Sequence, residues 1–409
     1  MRTVQPVCRS CGGSRLTPIL ELGKMPLANR LLTDEQLQTQ EPSYPLELVL
    51  CSSCALVQIT ETVPPEELVR DDVDFSPHSN GAARHARQLT AQIIASQKLR
   101  PTSLVVEIAS HDGARLQGYL QAEIPVLGIE SAENFAKVAR VQHGVPTLYR
   151  SFDKELAVQI EGCGQPADVV HVHHVLAQAP DLNGFVAGLW TLLKDSGVAV
   201  IEVPYVKDLI DRVAFDAIYH EHLCYFSLTS LVRLFGRHGL VVHDVERIAI
   251  QGGFLRLFVG RTGRSSEHVE DLLAKEKAWG VDRAAFYLGF GQRVERLRQE
   301  LMALLRQLKS EGRRIAVYGA SAQGSTLLNY FKIGREMVDF VVDRNTLKQG
   351  RYTPGTHLKI HSPEKLVLDK PDYVLLLSRN FADEILVQQA VYRQRGGRFI
   401  IPIPSVKVA

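Results

Sequence analysis

The chain has 409 residues, 45% of them hydrophobic and 7% aromatic, with a net charge of +2. It is long enough for two or three globular domains, and without a basic block it gives no support for a nucleic-acid or membrane partner. No apolar run approaches the ~18 residues of a membrane-spanning helix, and the N-terminus lacks the apolar stretch of a signal peptide, so a cytoplasmic protein with reduced thiols is expected. The first region, residues 1–75, reads as a metal module. Cys8-Arg-Ser-Cys11 and Cys51-Ser-Ser-Cys54 are two CxxC knuckles, each placing two thiolates on one tight turn. Cys8, Cys11, Cys51 and Cys54 together complete a tetrahedral zinc shell with no position left for water, which makes the site structural. Residues 12–50 between the knuckles must form a small subdomain. Cys163 and Cys224 are read as packing residues. The polar, proline-marked stretch 71–79 reads as the boundary to the next domain, 76–262, which opens with a helix over 81–98.

The run Leu104-Val105-Val106, ending in Glu107 and Ile108, reads as a buried parallel strand. Ala109-Ser110-His111-Asp112-Gly113 follows, with small residues that let the backbone turn tightly beside a ligand. A helix is expected over 114–121, then a strand, Val126-Leu127-Gly128-Ile129, ending on Glu130. A carboxylate ~20 residues beyond the turn suits a pair of ribose hydroxyls. The turn is not GxGxxG. Glu107 with the small residues 109–113 points instead to a class I methyltransferase holding S-adenosylmethionine. An ordinary βαβ crossover without a ligand is the competing reading.

The α/β alternation continues with a helix over 132–143, a short strand over 146–149 and the corner Ser151-Phe152. Phe152 is placed either to stack on an adenine or simply to pack in the core. A strand over 167–172 leads into His173-His174. Strand ends face the ligand crevice in open α/β sheets, so His174 is a candidate cofactor or substrate contact, or else a histidine capping a turn. A helix over 182–193 and a strand over 197–204 complete a mostly parallel sheet.

Tyr219-His220-Glu221-His222 is dense in proton-transfer groups. A histidine near neutral pKa serves as a base, a carboxylate orients it, and a phenol donates to a developing oxyanion. If extended, the segment sets His220 and His222 on one face, but no third metal ligand is evident. Beyond it, 263–409 reads as a connector with one long helix over 294–308, then a second α/β unit. That unit has strands over 314–318, 338–342, 373–377 and 399–402. The turn after the first of these, Gly319-Ala320-Ser321, opens a helix whose amide groups suit a phosphate.

The chain resembles the sugar C-methyltransferases that act on nucleotide-linked ketosugars in deoxysugar biosynthesis. The resemblance rests on Cys8-x-x-Cys11, Leu22-Gly23-x-x-Pro26-Leu27-Ala28-Asn29, Cys51-x-x-Cys54, Glu107-Ile108-Ala109-Ser110-x-Asp112-Gly113 and Tyr219-His220-Glu221-His222. It continues through Gly252-Gly253, Tyr318-Gly319-Ala320, Asp343-Arg344-Asn345, Lys348-Gln349-Gly350, Pro354-Gly355-Thr356 and Gly396-Gly397-Arg398-Phe399, and so spans the whole chain. It implies a zinc module, a Rossmann-like methyltransferase domain and a C-terminal Rossmann-like domain that helps hold the substrate, in a monomer. It implies His222 as base, assisted by Tyr219 and Glu221, with cofactor contacts from Glu107, Ala109, Ser110, His111, Asp112, Gly113, Glu130, Phe152 and His174. The family usually has Asn at His111 and His174, His at Gln178 and Gln251, Lys at Gln323 and Tyr at Asp74. Most of these differences should surround the ligands. The expected reaction is methylation of the carbon next to a ketone. O- or N-methylation on the same fold is the rival enzyme reading, and a non-catalytic zinc-containing binding protein is the rival from another class.

Overall fold

The computed structural model describes residues 6–64, 67–68, 80–248 and 252–409. The boundary stretch 71–79, with the break between 75 and 76 and Asp74, lies outside the described residues, as does Gln251.

Three sheets organise the described chain. The first contains β1 (Leu16–Pro26), β2 (Ser43–Cys51) and β3 (Val57–Ile59). β1 and β2 form a long antiparallel hairpin, and β3 pairs with β2. Residues 12–50 thus fold as a subdomain. Its inner face is set by the alternation of Leu46, Leu48 and Leu50, all buried.

The second sheet holds β4 (Val105–Ile108), β5 (Val126–Glu130), β6 (Thr147–Tyr149), β7 (Ala167–His173) and β8 (Leu193–Pro204). After β8 comes β9 (Cys224–Tyr225), then β10 (Val241–Ile248) and β11 (Phe254–Gly260). The sheet order is β10-β11-β8-β7-β4-β5-β6. β4 to β8 are parallel, while β11 runs antiparallel to β8 and to β10. This is the Rossmann-like methyltransferase sheet expected from the sequence, edged by a reversed hairpin. Its central strands are dominated by Val, Ile and Ala because both faces are covered. The chain leaves β4 for β5 on one side and reaches β7 on the other, so the crevice opens at the carboxyl ends of β4 and β7.

β9 does not join this sheet. It pairs with β3, setting Val57 opposite Tyr225 and Gln58 opposite Cys224, and so completes the sheet of the metal module. Asn183 Nδ2 donates to the Arg9 carbonyl and Arg237 Nη2 to the Ser10 carbonyl, both at 2.8 Å. The first knuckle is thereby docked on the methyltransferase domain.

The third sheet contains β12 (Ile315–Tyr318), β13 (Val341–Val342), β14 (Ile360–His361), β15 (Tyr373–Leu376), β16 (Arg398–Ile401) and β17 (Lys407–Val408). It is parallel except for β17. Two sequence expectations need correction. The helix over 114–121 shrinks to Gln117–Leu120, because Asp112 Oδ1 accepts from Ala114 N at 3.1 Å and holds the chain in a turn. The connector holds three helices, Glu267–Trp279, Ala284–Tyr287 and Phe290–Ser310, interrupted where Gly280 and Gly289 adopt left-handed backbone.

Candidate active site

The metal module supplies the first constellation. The ligand atoms of Cys8, Cys11, Cys51 and Cys54 all lie within 4.8 Å of one another. The sulfurs of Cys8 and Cys54 are 3.4 Å apart and those of Cys11 and Cys51 3.6 Å. Zinc–sulfur bonds of ~2.3 Å in a tetrahedron set the sulfurs ~3.8 Å apart, so the cluster fits one zinc ion closely. Each knuckle is closed by a backbone bond, Gly12 N to Cys8 O at 2.8 Å and Ala55 N to Cys51 O at 2.9 Å. The close contact lowers the Cys54 thiol and raises that of Cys8, and binding of zinc to such thiols displaces their protons.

The cofactor end is built from β4, β5 and the turn between them. Ala109 (φ 58°), His111 (φ 50°) and Gly113 (φ 77°) are all left-handed. Two such non-glycine residues in one turn persist only where the surroundings fix them, which is common at ligand sites. Here Glu130 fixes His111. Its Oε2 accepts from His111 N at 2.9 Å and its Oε1 from Ala132 N at 2.7 Å, which leaves further lone pairs on both oxygens. Gly113 is required by space as well, since a Cβ there would lie 2.9 Å from Val145.

Glu107 is 4% exposed and pairs with Arg115. Burial raises its pKa, while Arg115 opposes the rise. Glu107 Oε2 and the Ser110 hydroxyl are buried with no hydrogen-bond partner among the described residues. Leaving such groups unmatched costs ~1–3 kcal/mol each, so a polar ligand in the crevice is what the turn lacks. Those two orphaned groups, with the left-handed turn and the Glu130 carboxylate, fit S-adenosylmethionine.

The remaining predicted residues fall as follows. The Asp112 carbonyl accepts from His143 Nδ1 at 2.6 Å, and the His111 ring stacks on Phe135 at 5.3 Å. His174 (φ 65°) directly follows β7, with its ring edge-on to Phe254 at 4.8 Å, and burial lowers its pKa to about 4. Phe152 packs edge-on against Phe185 at 5.0 Å and over Gly188, so its contacts are those of a packing residue. Gln178 lies in the 3-10 turn after His174, and Gln323 in the first turn of helix Ala322–Phe331.

Sequence reasoning missed a buried polar row behind His174. His173 Nδ1 meets Glu202 Oε2 at 2.8 Å, Arg256 Nε meets Glu202 Oε1 at 2.8 Å, and Arg256 Nη1 meets Glu246 Oε2 at 2.9 Å. His171 links His173 to the Tyr119 hydroxyl at 3.1 and 2.7 Å. The signal was present as single polar residues at alternate positions in otherwise apolar strands, as in Val170-His171-Val172-His173.

The Tyr-His-Glu-His segment is a turn, which corrects the extended reading. His222 N donates to Tyr219 O at 3.0 Å, and this folds the two side chains together. The Tyr219 hydroxyl lies 2.9 Å from His222 Nε2. The alternation argument therefore fails, and the two imidazoles diverge. His220 Nε2 donates to the Pro45 carbonyl at 3.1 Å, with its ring against Tyr44. Glu221 Oε2 accepts from Asn29 Nδ2 at 2.7 Å. Burial, with His174 nearby, lowers the His222 pKa to about 4, so its ring is neutral at pH 7. Leu223 N donates to Ala177 O at 2.8 Å and Val206 N to Phe226 O at 2.9 Å, which lays the segment across the carboxyl ends of β7 and β8. From the third sheet's side, Thr326 Oγ1 donates to the Ile218 carbonyl at 3.1 Å. Cofactor turn and proton-transfer residues thus share one edge of one sheet.

Comparison with known proteins agrees along the chain. Residues 8–68 match the profile of a zinc binding domain, 73–245 that of a methyltransferase domain, and 249–404 that of the C-methyltransferase C-terminal domain. C-methyltransferase NovU of Streptomyces niveus is 35% identical over 410 positions, covering 99% of this chain and 97% of that protein. Among solved structures, magnesium protoporphyrin IX methyltransferase of Synechocystis PCC 6803 with bound S-adenosylmethionine is 14% identical. It covers 49% of this chain and 99% of its own, with a TM-score of 0.37. The mitomycin 7-O-methyltransferase MmcR is 16% identical, over 44% of this chain and 54% of its own, with a TM-score of 0.35. No helix among the described residues is long and apolar enough to cross a membrane.

Proposed function

The chain belongs to the S-adenosylmethionine-dependent C-methyltransferases, and we propose that it methylates the carbon next to a ketone in a nucleotide-linked deoxysugar. The observation that carries this reading is the pairing of His222 Nε2 with the Tyr219 hydroxyl at 2.9 Å, at the carboxyl edge of the sheet that carries the cofactor turn.

A carbon acid next to a ketone needs a base with a free lone pair and a donor for the oxygen that gains charge. His222 is neutral at pH 7, so Nε2 offers the lone pair. Substrate entering the crevice takes the Tyr219 hydroxyl onto its carbonyl oxygen and leaves Nε2 facing the carbon. The C–H bond breaks, its proton goes to Nε2, and its electron pair moves to the carbonyl oxygen as an enolate. The enolate carbon is then the nucleophile. S-adenosylmethionine, when bound, would supply an electrophilic methyl on a sulfonium, with a neutral thioether as the leaving group. Glu107, the turn 109–113 and Glu130 would hold it. Asn29 fixes Glu221 beside the base.

We assign residues 1–75 to zinc, 76–262 to the cofactor and base, and 263–409 to holding the nucleotide part. The Gly319 turn supports the last role. It lies at the carboxyl end of β12, and Ser321 caps the helix Ala322–Phe331 that follows.

The test is proton exchange without methyl transfer. A nucleoside-diphosphate-linked ketodeoxyhexose in deuterium oxide, with no methyl donor, should gain deuterium next to its ketone. The gain should vanish in His222→Asn. Exchange that persists in the variant, or never occurs, removes the enolate reading.

A further inference from the structure

We propose that Arg379 is a positioning residue for the base, acting through Asp216 and the turn that carries Ala217. Arg379 lies just beyond the carboxyl end of β15, in the C-terminal domain. Its guanidinium grips Asp216 as a fork, Nε to Oδ2 at 3.0 Å and Nη2 to Oδ1 at 2.9 Å. The pair is sequestered, with side-chain exposures of 11% and 3%. A planar two-point contact fixes orientation as well as distance, which an ammonium does not do.

Asp216 sits in the 3-10 turn Phe215–Ala217, directly before the proton-transfer segment. The carbonyl of its neighbour Ala217 accepts from the Tyr225 hydroxyl at 3.2 Å, and the Tyr225 ring stands edge-on to His222 at 6.4 Å. The same carbonyl favours a proton on the His222 imidazole, against the effect of burial. With Nε2 paired to Tyr219, a proton kept at Nδ1 leaves Nε2 as the lone pair. The next carbonyl, Ile218, is the one held by Thr326. The Arg379 and Thr326 contacts both come from the domain that carries the Gly319 turn. A Cβ on Gly319 would lie 2.9 Å from Ser378 N, so the Gly319 turn and the loop bearing Arg379 are packed against each other. A ligand seated at Gly319 therefore bears on the loop that orients the base.

The inference rests on His222 being the base, and the test separates the two ideas. Asp216→Asn combined with Arg379→Gln removes both charges, so that no unpaired charge is left buried. In that variant we expect unchanged zinc content and S-adenosylmethionine affinity. Turnover of a nucleoside-diphosphate-linked ketodeoxyhexose should fall at least ~10-fold, a fraction of the ~10²–10⁴ that a positioned base contributes, with KM nearly constant. Nitrogen NMR of labelled histidine, assigned through His222→Asn, should show the His222 ring nitrogens shifted. Arg379→Lys should recover only part of the turnover. Wild-type turnover in the double variant overturns the proposal. Loss of turnover with unchanged His222 signals also overturns it, as does loss that tracks cofactor affinity or zinc. If the wild type shows no deuterium exchange, the enolate reading fails, while the NMR comparison still decides whether Arg379 positions His222.

Discussion

The two ends of the site are built in opposite ways. The cofactor end is local, with Glu107, the turn 109–113 and Glu130 coming from one strand-turn-helix-strand unit that Glu130 closes on itself. The end that carries the proposed base, His222, is assembled from remote parts of the chain. Asn29 and Pro45 of the metal module, and Thr326 and Arg379 of the C-terminal domain, each hold a residue between Asp216 and Glu221. A cofactor shared by many reactions suits a self-contained unit. A proton-transfer segment held at a junction can be re-aimed by changes in either flanking domain while the cofactor grip stays put.

Loss of zinc is the harshest way to test that contrast. Cys51→Ser removes one thiolate from a closed shell, and in such modules metal binding is folding energy. We expect lost zinc, a disordered first sheet and abolished turnover, because β9 loses its partner β3 and His220 loses Pro45. The turn 109–113 is tied to Ile129, Glu130 and His143, so calorimetry should still show S-adenosylmethionine binding. If cofactor binding vanishes with the zinc, the two ends are not independent.

Next in size is the proposed base. His222→Asn should lower turnover by ~10²–10⁴ and leave both ligands bound, since the lost interaction belongs to the transition state. His220→Asn should cost less, because its imidazole serves the Pro45 carbonyl. The His222 pKa, lowered to about 4, also fixes the sign of the pH dependence. The lone pair exists above that value and is lost as pH falls through it. Measured kcat/KM should hold across neutral pH and decline only in acid. If His220→Asn is the more damaging change, the base is His220.

The contrast also explains what the sequence could reveal. The cofactor end was legible because its signals are contiguous: an apolar run, small residues, a second run and an acid at its end. The cysteine knuckles were legible because metal geometry dictates their spacing. The clamps on the base segment were not, because Asp216 and Arg379 are far apart in the chain and nothing local couples them. Nor could the pattern show that the segment is a turn, since Tyr219-His220-Glu221-His222 suits an extended strand equally well. The pairing of β9 with β3 was hidden for a similar reason. Two residues carry no periodicity, and their partner lies in another module.

Glu130→Ala sharpens the local side of the comparison. It removes the acceptor proposed for two ribose hydroxyls and, as the structure adds, the ties to His111 N and Ala132 N. Hydrogen bonds to a charged group contribute ~1.5–3 kcal/mol, so S-adenosylmethionine should bind roughly ten- to a hundredfold more weakly. Zinc content should not change. Unaltered affinity would place the ribose elsewhere.

The smallest expected effect comes from Asn29, whose only assigned task is to hold Glu221 from another module. The contact is a charge-assisted hydrogen bond of 2.7 Å, but both residues are partly exposed, so water can replace the lost donor. Asn29→Ala should therefore lower turnover by only about three- to tenfold, less than the ~1.5–3 kcal/mol of a fully sequestered charged bond implies. Asn29→Asp should be worse than Ala, because it sets a second carboxylate against Glu221 where a donor stood. Neither change should alter cofactor affinity or zinc content. The order of the two variants matters more than either size. If Asp is as active as Ala, Glu221 is not held from the metal module. The module's grip on the base would then run through Pro45 and β9 alone.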